Sequence, residues 1–130
     1  MANYIILLLV DDEALILHLL EDALTDAGYA VVTALDGDEA IAALDARDSN
    51  LSGLITDIRM GDGASGWDVA RHARELVPTF PVVYMPGDSA ADWAAQGVPT
   101  STLVQKPFAA AQVITAISHL LNEAASSPSA

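Results

Sequence analysis

The chain contains no cysteine and one lysine, and bases of either kind are scarce. Five Lys and Arg stand against 18 Asp and Glu in 130 residues, a formal net charge of -13. Without cysteine there is neither a disulfide framework nor a thiolate metal site. The shortage of positive charge argues against contact with nucleic acid or an anionic membrane, both of which repel a net negative surface. The acids are spread along the chain and form no acidic tail. There is also no long hydrophobic run. Tyr4 to Val10 is far short of the roughly 20 residues that cross a bilayer, and no basic segment precedes it as in a secretory leader. The expected location is the cytoplasm. Among chemical motifs, a P-loop, a GxGxxG after a strand and a serine nucleophile elbow are all missing. His18, His72 and His119 are scattered, without the spacing of metal ligands.

What the chain has is apolar content, 52% hydrophobic residues, enough for a core within one domain. Tyr4 to Val10 is a continuous apolar run, the pattern of a strand buried on both faces of a parallel sheet. Ile16, Leu19, Leu20, Ala23, Leu24 and Ala27 follow at helical spacing, and Gly28 stands where a helix terminus favours a left-handed residue. Val31 to Ala34 predicts a second strand, and Asp36 with Glu39 three residues on predicts a helix start. Leu54 to Thr56 predicts a third strand ending at Asp57. A Gly-rich loop spans Gly61 to Gly66, and Ser65 is placed to cap a helix that Pro78 stops. Pro81 to Met85 predicts a fourth strand, Asp88 to Gln96 an Ala-rich helix, Thr102 to Gln105 a fifth strand, and Ala109 to Leu121 a last helix with Val113, Ile117, Leu120 and Leu121 on one face. One domain over 1–123 is expected, with small polar residues 124–130 as a disordered tail.

Five alternations of strand and helix favour an α/β doubly wound parallel sheet with helices on both faces. Ligands of such sheets bind at the carboxyl ends of the strands. There the sequence places Asp11, Asp12 and Glu13 after the first strand, Asp57 after the third, and Lys106 after the fifth. An acid after a strand is often only a helix cap. Two successive acids with a third from a distant strand are harder to explain so, because carboxylates about 4 Å apart repel by roughly 4 kcal/mol at an effective dielectric of 20. A cation between them relieves that repulsion, and hard oxygen ligands that leave positions open for water and phosphate suit Mg²⁺. The only lysine of the chain, in the same place, points to carboxylate nucleophilic catalysis at phosphorus. An aspartate oxygen would form an acyl phosphate while Mg²⁺ and Lys106 neutralise the phosphoryl oxygens.

Four motifs in order, Leu9-Val10-Asp11-Asp12-Glu13, Ile55-Thr56-Asp57-Ile58-Arg59-Met60, Pro81-Val82-Val83-Tyr84-Met85 and Lys106-Pro107-Phe108, resemble the response-regulator receiver family over residues 4–121. The resemblance implies a flavodoxin-like five-stranded sheet in the order 2-1-3-4-5 with five flanking helices. It implies Asp57 as phosphoacceptor, Asp12 as a direct Mg²⁺ ligand, Asp11 acting through a water, the Arg59 carbonyl completing the metal ligands, and Lys106 pairing with the phosphoryl group. Gly87 would offer its N–H to the phosphate, Ser89 being a weaker candidate, and the Lys106–Pro107 bond would be cis. The implied partners are a sensor histidine kinase or phosphotransfer protein and an output protein, with a homodimer among the assemblies allowed. The only activity implied is self-phosphorylation and self-dephosphorylation of Asp57.

Two departures stand out. The family's Thr or Ser after the fourth strand is Pro86 here, which has neither hydroxyl nor N–H, and its switch aromatic in the fifth strand is Leu103. The loop after Asp57 is also about one residue longer than usual and lacks the usual proline. Trp93 is a candidate for partner contact, and Trp67 for packing. A phosphoaccepting signalling module is therefore expected. The alternative is a pseudo-receiver scaffold whose output ignores phosphorylation, favoured by Pro86 and opposed by the intact Asp11, Asp12, Asp57 and Lys106 set. A phosphohydrolase on a related sheet would need an acid two residues after the nucleophile, where Arg59 stands.

Overall fold

Apolar runs without polar alternation must bury both faces, and here they do so side by side. The computed structural model describes residues 5–46, 50–88 and 90–126. Its strands are β1 (Ile6–Val10), β2 (Ala30–Ala34), β3 (Leu51–Thr56), β4 (Val82–Tyr84) and β5 (Thr102–Leu103), and its helices α1 (Ala14–Asp26), α2 (Gly37–Asp45), α3 (Gly66–Leu76), α4 (Trp93–Gln96) and α5 (Ala110–Ser126). The strands form one sheet in the order β2-β1-β3-β4-β5, with every pairing parallel. Alternate residues feed two apolar layers. Leu8, Val10, Leu54, Val82 and Tyr84 pack with Leu44 of α2 and Val69, Ala70 and Ala73 of α3. Leu7, Leu9, Ile55, Val83 and Met85 pack with Leu17, Leu20 and Leu24 of α1 and Val113, Ile117 and Leu120 of α5. This is the doubly wound, flavodoxin-like sheet expected from the sequence.

Several local features also follow from the residues present. Asp36 accepts a hydrogen bond from the Glu39 N–H at the start of α2, and Ser65 and Asp68 form a reciprocal capping box at the start of α3. Gly28 ends the turn after α1 at φ 100°. The Lys106–Pro107 bond is cis.

The differences from expectation have physical causes. β3 begins at Leu51, three residues early, because Gly53 is a strand residue in a tight place: a Cβ there would lie 3.0 Å from Leu7 Cδ2 and 3.2 Å from Ile117 Cδ1. β4 and β5 are shorter than their apolar runs. The helix expected over Asp88 to Gln96 is reduced to a 3₁₀ turn at Ala90–Asp92 and the single turn of α4. Its residues 91–96 are all exposed, and alanine propensity without packing does not hold so short a helix. On α1 the inward face is Leu17, Leu20 and Leu24, with Ile16 half-buried, whereas Leu19 is 55% exposed. α5 runs to Ser126 through the helix-favouring Ala124 and Ala125, so residues 124–126, expected in a disordered tail, are helical. Tyr4, Ser89 and residues 127–130 lie outside the described residues.

One contact ties the fold directly to the carboxyl edge of the sheet. The Gly66 N–H donates to the Ile58 carbonyl at 2.8 Å, and a Cβ on Gly66 would overlap the Asp57 carbonyl oxygen. Although alanine is the better helix former, Gly66→Ala is expected to lower stability by about 3 kcal/mol through overpacking. Denaturant unfolding measures this, and an unchanged midpoint would contradict the contact.

Candidate functional site

Parallel pairing continues past the ends of the strands and fixes the acids that follow. The Asp11 N–H donates to the Ala34 carbonyl at 3.2 Å and the Asp57 N–H to the Val10 carbonyl at 2.8 Å. The Lys106 N–H donates to the Pro86 carbonyl at 2.9 Å. Both carboxylates are thus delivered from the central strands, and the lysine from beyond the edge strand. Asp11 is fully buried, Asp57 is 7% exposed and Asp12 faces solvent. One carboxylate oxygen from each of the three lies within 4.8 Å of the other two.

Lys106 closes the cluster. Its Nζ is 3.0 Å from Asp11 Oδ2, 3.2 Å from Asp57 Oδ2 and 3.6 Å from Glu13 Oε1. Asp57 Oδ1 accepts the Ile58 N–H at 2.8 Å and Oδ2 accepts a hydrogen bond from Nζ, so both of its oxygens are engaged. Asp11 Oδ1 accepts the Glu13 N–H at 2.9 Å. Asp11 Oδ2 is close enough to Nζ for an ion pair, but the angle makes no hydrogen bond, and it is the one buried side-chain polar atom without such a partner among the described residues.

Burial is the largest influence on both acids and pushes the Asp57 and Asp11 carboxyls above their usual range, against the hydrogen bonds from Ile58 and Glu13 and the pull of Lys106. Burial alone would lower Lys106. The close approach and negative charge of Asp11 and Asp57 outweigh it, and the ammonium form is held more firmly than usual. Four carboxylates against one ammonium leave negative charge uncompensated. That excess, the buried Asp11 oxygen that accepts no hydrogen bond and the all-oxygen donor set fit a hard divalent cation such as Mg²⁺.

The remaining positions fall around this cluster. Arg59 is exposed, and its Nε lies 3.5 Å from Asp88 Oδ1, which joins the loop after β3 to the loop after β4. Pro86 is buried and Gly87 exposed. Leu103 is half-buried against the apolar layer that contains Tyr84. Trp67 is a packing residue, its ring centroid 4.7 Å from that of Tyr84, and Trp93 is 37% exposed on α4. Sequence reasoning missed the reach of Glu13 to Lys106 and the place of Tyr84. The signal for Tyr84 was present, since a phenol inside an apolar strand must find a polar partner.

Comparison with known proteins agrees with this arrangement. A family model described as the response regulator receiver domain matches residues 7–118. A response regulator receiver protein of Sinorhizobium medicae is 46% identical, with a TM-score of 0.89 over 92% of this chain and 96% of that one. The chemotaxis protein CheY4 of Vibrio cholerae is 26% identical, with a TM-score of 0.78 over 91% and 99%. Among curated proteins, the transcriptional regulatory protein ResD of Bacillus subtilis is 33% identical over 120 residues, covering 91% of this chain and 48% of that protein. The DNA-binding transcriptional regulator NtrC of Klebsiella pneumoniae is 34% identical over 117 residues, covering 85% and 24%. The chain belongs to the receiver domain family of two-component response regulators. It spans about half or less of the length of these curated relatives.

Because the folded state holds protons on Asp11 and Asp57 more tightly than the unfolded chain, their contribution to the stability of the metal-free protein is largest at acid pH. It falls as pH rises from the ordinary carboxylate range through the raised folded values. Asp57→Asn is therefore expected to stabilise the metal-free protein at neutral pH, with the gain shrinking as pH is lowered. Urea unfolding of both proteins across pH in chelator checks this, and a variant less stable than wild type at pH 7 would contradict it.

Proposed function

We propose that the chain accepts a phosphoryl group on Asp57 from a phosphohistidine of a sensor kinase or phosphotransfer protein, and signals through contact with an output protein. The observation that carries this reading is the pairing of a buried Asp57 carboxylate with the Lys106 ammonium beside Asp11 and Asp12. An Asp57 oxygen would attack the phosphorus of the donor. As the new O–P bond forms, the P–N bond breaks, and its electron pair leaves with the imidazole, which takes up a proton. The carboxylate becomes an acyl phosphate. Lys106, already within reach of Asp57 Oδ2, would turn its charge to a phosphoryl oxygen, and the exposed Gly87 would offer its N–H to another.

Asp11, Asp12, Asp57 and the Arg59 carbonyl would hold Mg²⁺, which when bound neutralises the phosphoryl oxygens. Attack of water on the same phosphorus would return Asp57 to its carboxylate, so any activity is confined to the chain's own phosphate. The reaction belongs to the cytoplasm. The net charge of -13 disfavours contact of this chain with nucleic acid or an anionic membrane and makes a protein its expected output partner. DNA binding in a relative's name remains a property of that longer protein.

The scaffold alternative draws on one observation: Pro86, two residues past β4, is buried, its carbonyl is occupied by the Lys106 N–H, and it has no hydroxyl to follow a phosphoryl group. Acetyl phosphate with Mg²⁺, followed by intact mass, separates the two readings. Wild type is expected to gain one phosphoryl group, and chelator or Asp57→Asn to abolish the gain. A folded, Mg²⁺-binding protein that gains nothing from acetyl phosphate or from a phosphohistidine donor would favour the scaffold.

A further inference from the structure

A line of contacts leads from the backbone of Asp57 to the protein surface through residues that the proposed chemistry does not use. It begins where Gly66, the first residue of α3, packs on the Asp57 carbonyl and donates its N–H to Ile58. The next residue, Trp67, is buried, with its ring tilted 58° against that of Tyr84 at a centroid distance of 4.7 Å. Tyr84 is fully buried, and its hydroxyl accepts the backbone N–H of Val98 at 3.1 Å. The Val98 carbonyl accepts the Ser101 hydroxyl at 2.7 Å, and Ser101 Oγ accepts the Trp93 indole N–H at 3.0 Å. Trp93 opens α4, which buries no residue.

The segment at the far end of this line is lightly held. Arg74 fastens it from α3, donating to the Pro99 carbonyl at 2.6 Å and the Thr100 carbonyl at 3.3 Å. Thr100 has φ 59°, a left-handed conformation that costs a β-branched residue energy. Few buried contacts, one strained residue and a helix of one turn are the features of a segment that rearranges locally at little cost.

We infer that Tyr84 is the positioning residue of a relay, through which phosphoryl acceptance at Asp57 reaches Val98, Ser101 and Trp93 by way of Trp67. The inference rests on Asp57 being the phosphoacceptor. The two-state element is the stretch from residue 91 to residue 101, ahead of β5, and the Tyr84 hydroxyl is the side-chain bond that ties it to β4. Tyr84 touches no reacting group, so its removal leaves phosphorylation itself intact.

Hydrogen exchange read by mass spectrometry tests this on the full chain, with Mg²⁺ and with or without acetyl phosphate, while intact mass reports phosphoryl occupancy of the same samples. In wild type, phosphorylation is expected to change exchange across both 91–96 and 97–101. Tyr84→Phe keeps the ring and removes the hydroxyl. It is expected to reach the same occupancy with the phosphorylation-dependent change reduced about tenfold. A purely structural role would shift both states together and leave that difference unaltered. Ser101→Ala, outside the core, is expected to keep the response over 97–101 and lose it over 91–96, which keeps the relay testable if Tyr84→Phe does not fold. A phosphorylated wild type with unchanged exchange, or a phosphorylated Tyr84→Phe with the full response, overturns the relay alone. Absence of any mass gain in wild type, from acetyl phosphate and from a phosphohistidine donor alike, overturns the phosphoacceptor reading and the relay with it.

Discussion

A single ammonium group, that of Lys106, stands between carboxylates that the sheet forces together. Asp11 and Asp57 are fixed by backbone hydrogen bonds to neighbouring strands, and neither can swing away without breaking the pairing that continues past β1 and β3. At an effective dielectric of 20, two such charges about 4 Å apart repel by roughly 4 kcal/mol. Lys106, 3.0 Å from one and 3.2 Å from the other, offsets part of this but cannot neutralise two buried acids with Asp12 and Glu13 beside them. The rest of the molecule holds this conflict in place. Two apolar layers lock the central strands from both sides, and the Gly66 contact fixes the start of α3 against the backbone of Asp57.

The same tension makes the site selective. A cluster that carries excess negative charge and a buried oxygen that accepts no hydrogen bond favours whatever brings positive charge and oxygen-ligand geometry, which is the condition for a divalent cation and then for a phosphoryl group. Structural support and chemical readiness are therefore one arrangement seen in two ways. The stability given up by burying like charges would be recovered on binding of a cation at the site.

Much of this was legible in the sequence, and the unevenness has physical reasons. The apolar runs at β1 and β4 and the acids immediately after β1 and β3 were readable because burial on both faces erases alternation and polar residues mark the strand ends. Ser65 and Asp36 declared their caps through residues three positions on. Gly53 hid the first half of β3 because a glycine in tight packing resembles a turn. Leu19 shares the helical spacing of the buried residues of α1 and is nonetheless exposed, because spacing alone does not say which of several apolar stripes faces the sheet. The Asp88 to Gln96 segment looked helical by propensity, and tertiary packing, which it lacks, decided otherwise. Of the site, the acids and Lys106 could be named in advance. The link from Trp67 through Tyr84 to Val98 could not, since it joins residues 14 positions apart by a bond to a backbone N–H.

The central claim is that the carboxylate bearing the phosphoryl group is that of Asp57 and no other in the cluster. Borohydride reduction of the protein after treatment with acetyl phosphate and Mg²⁺, followed by peptide mapping, tests it most directly, because an acyl phosphate is reduced where it stands and the aspartate that carried it becomes homoserine. The expected result is homoserine at position 57 alone, and none when Mg²⁺ is withheld. Homoserine at position 11 or 12, or a phosphoryl mass gain that borohydride leaves untouched, would contradict the assignment.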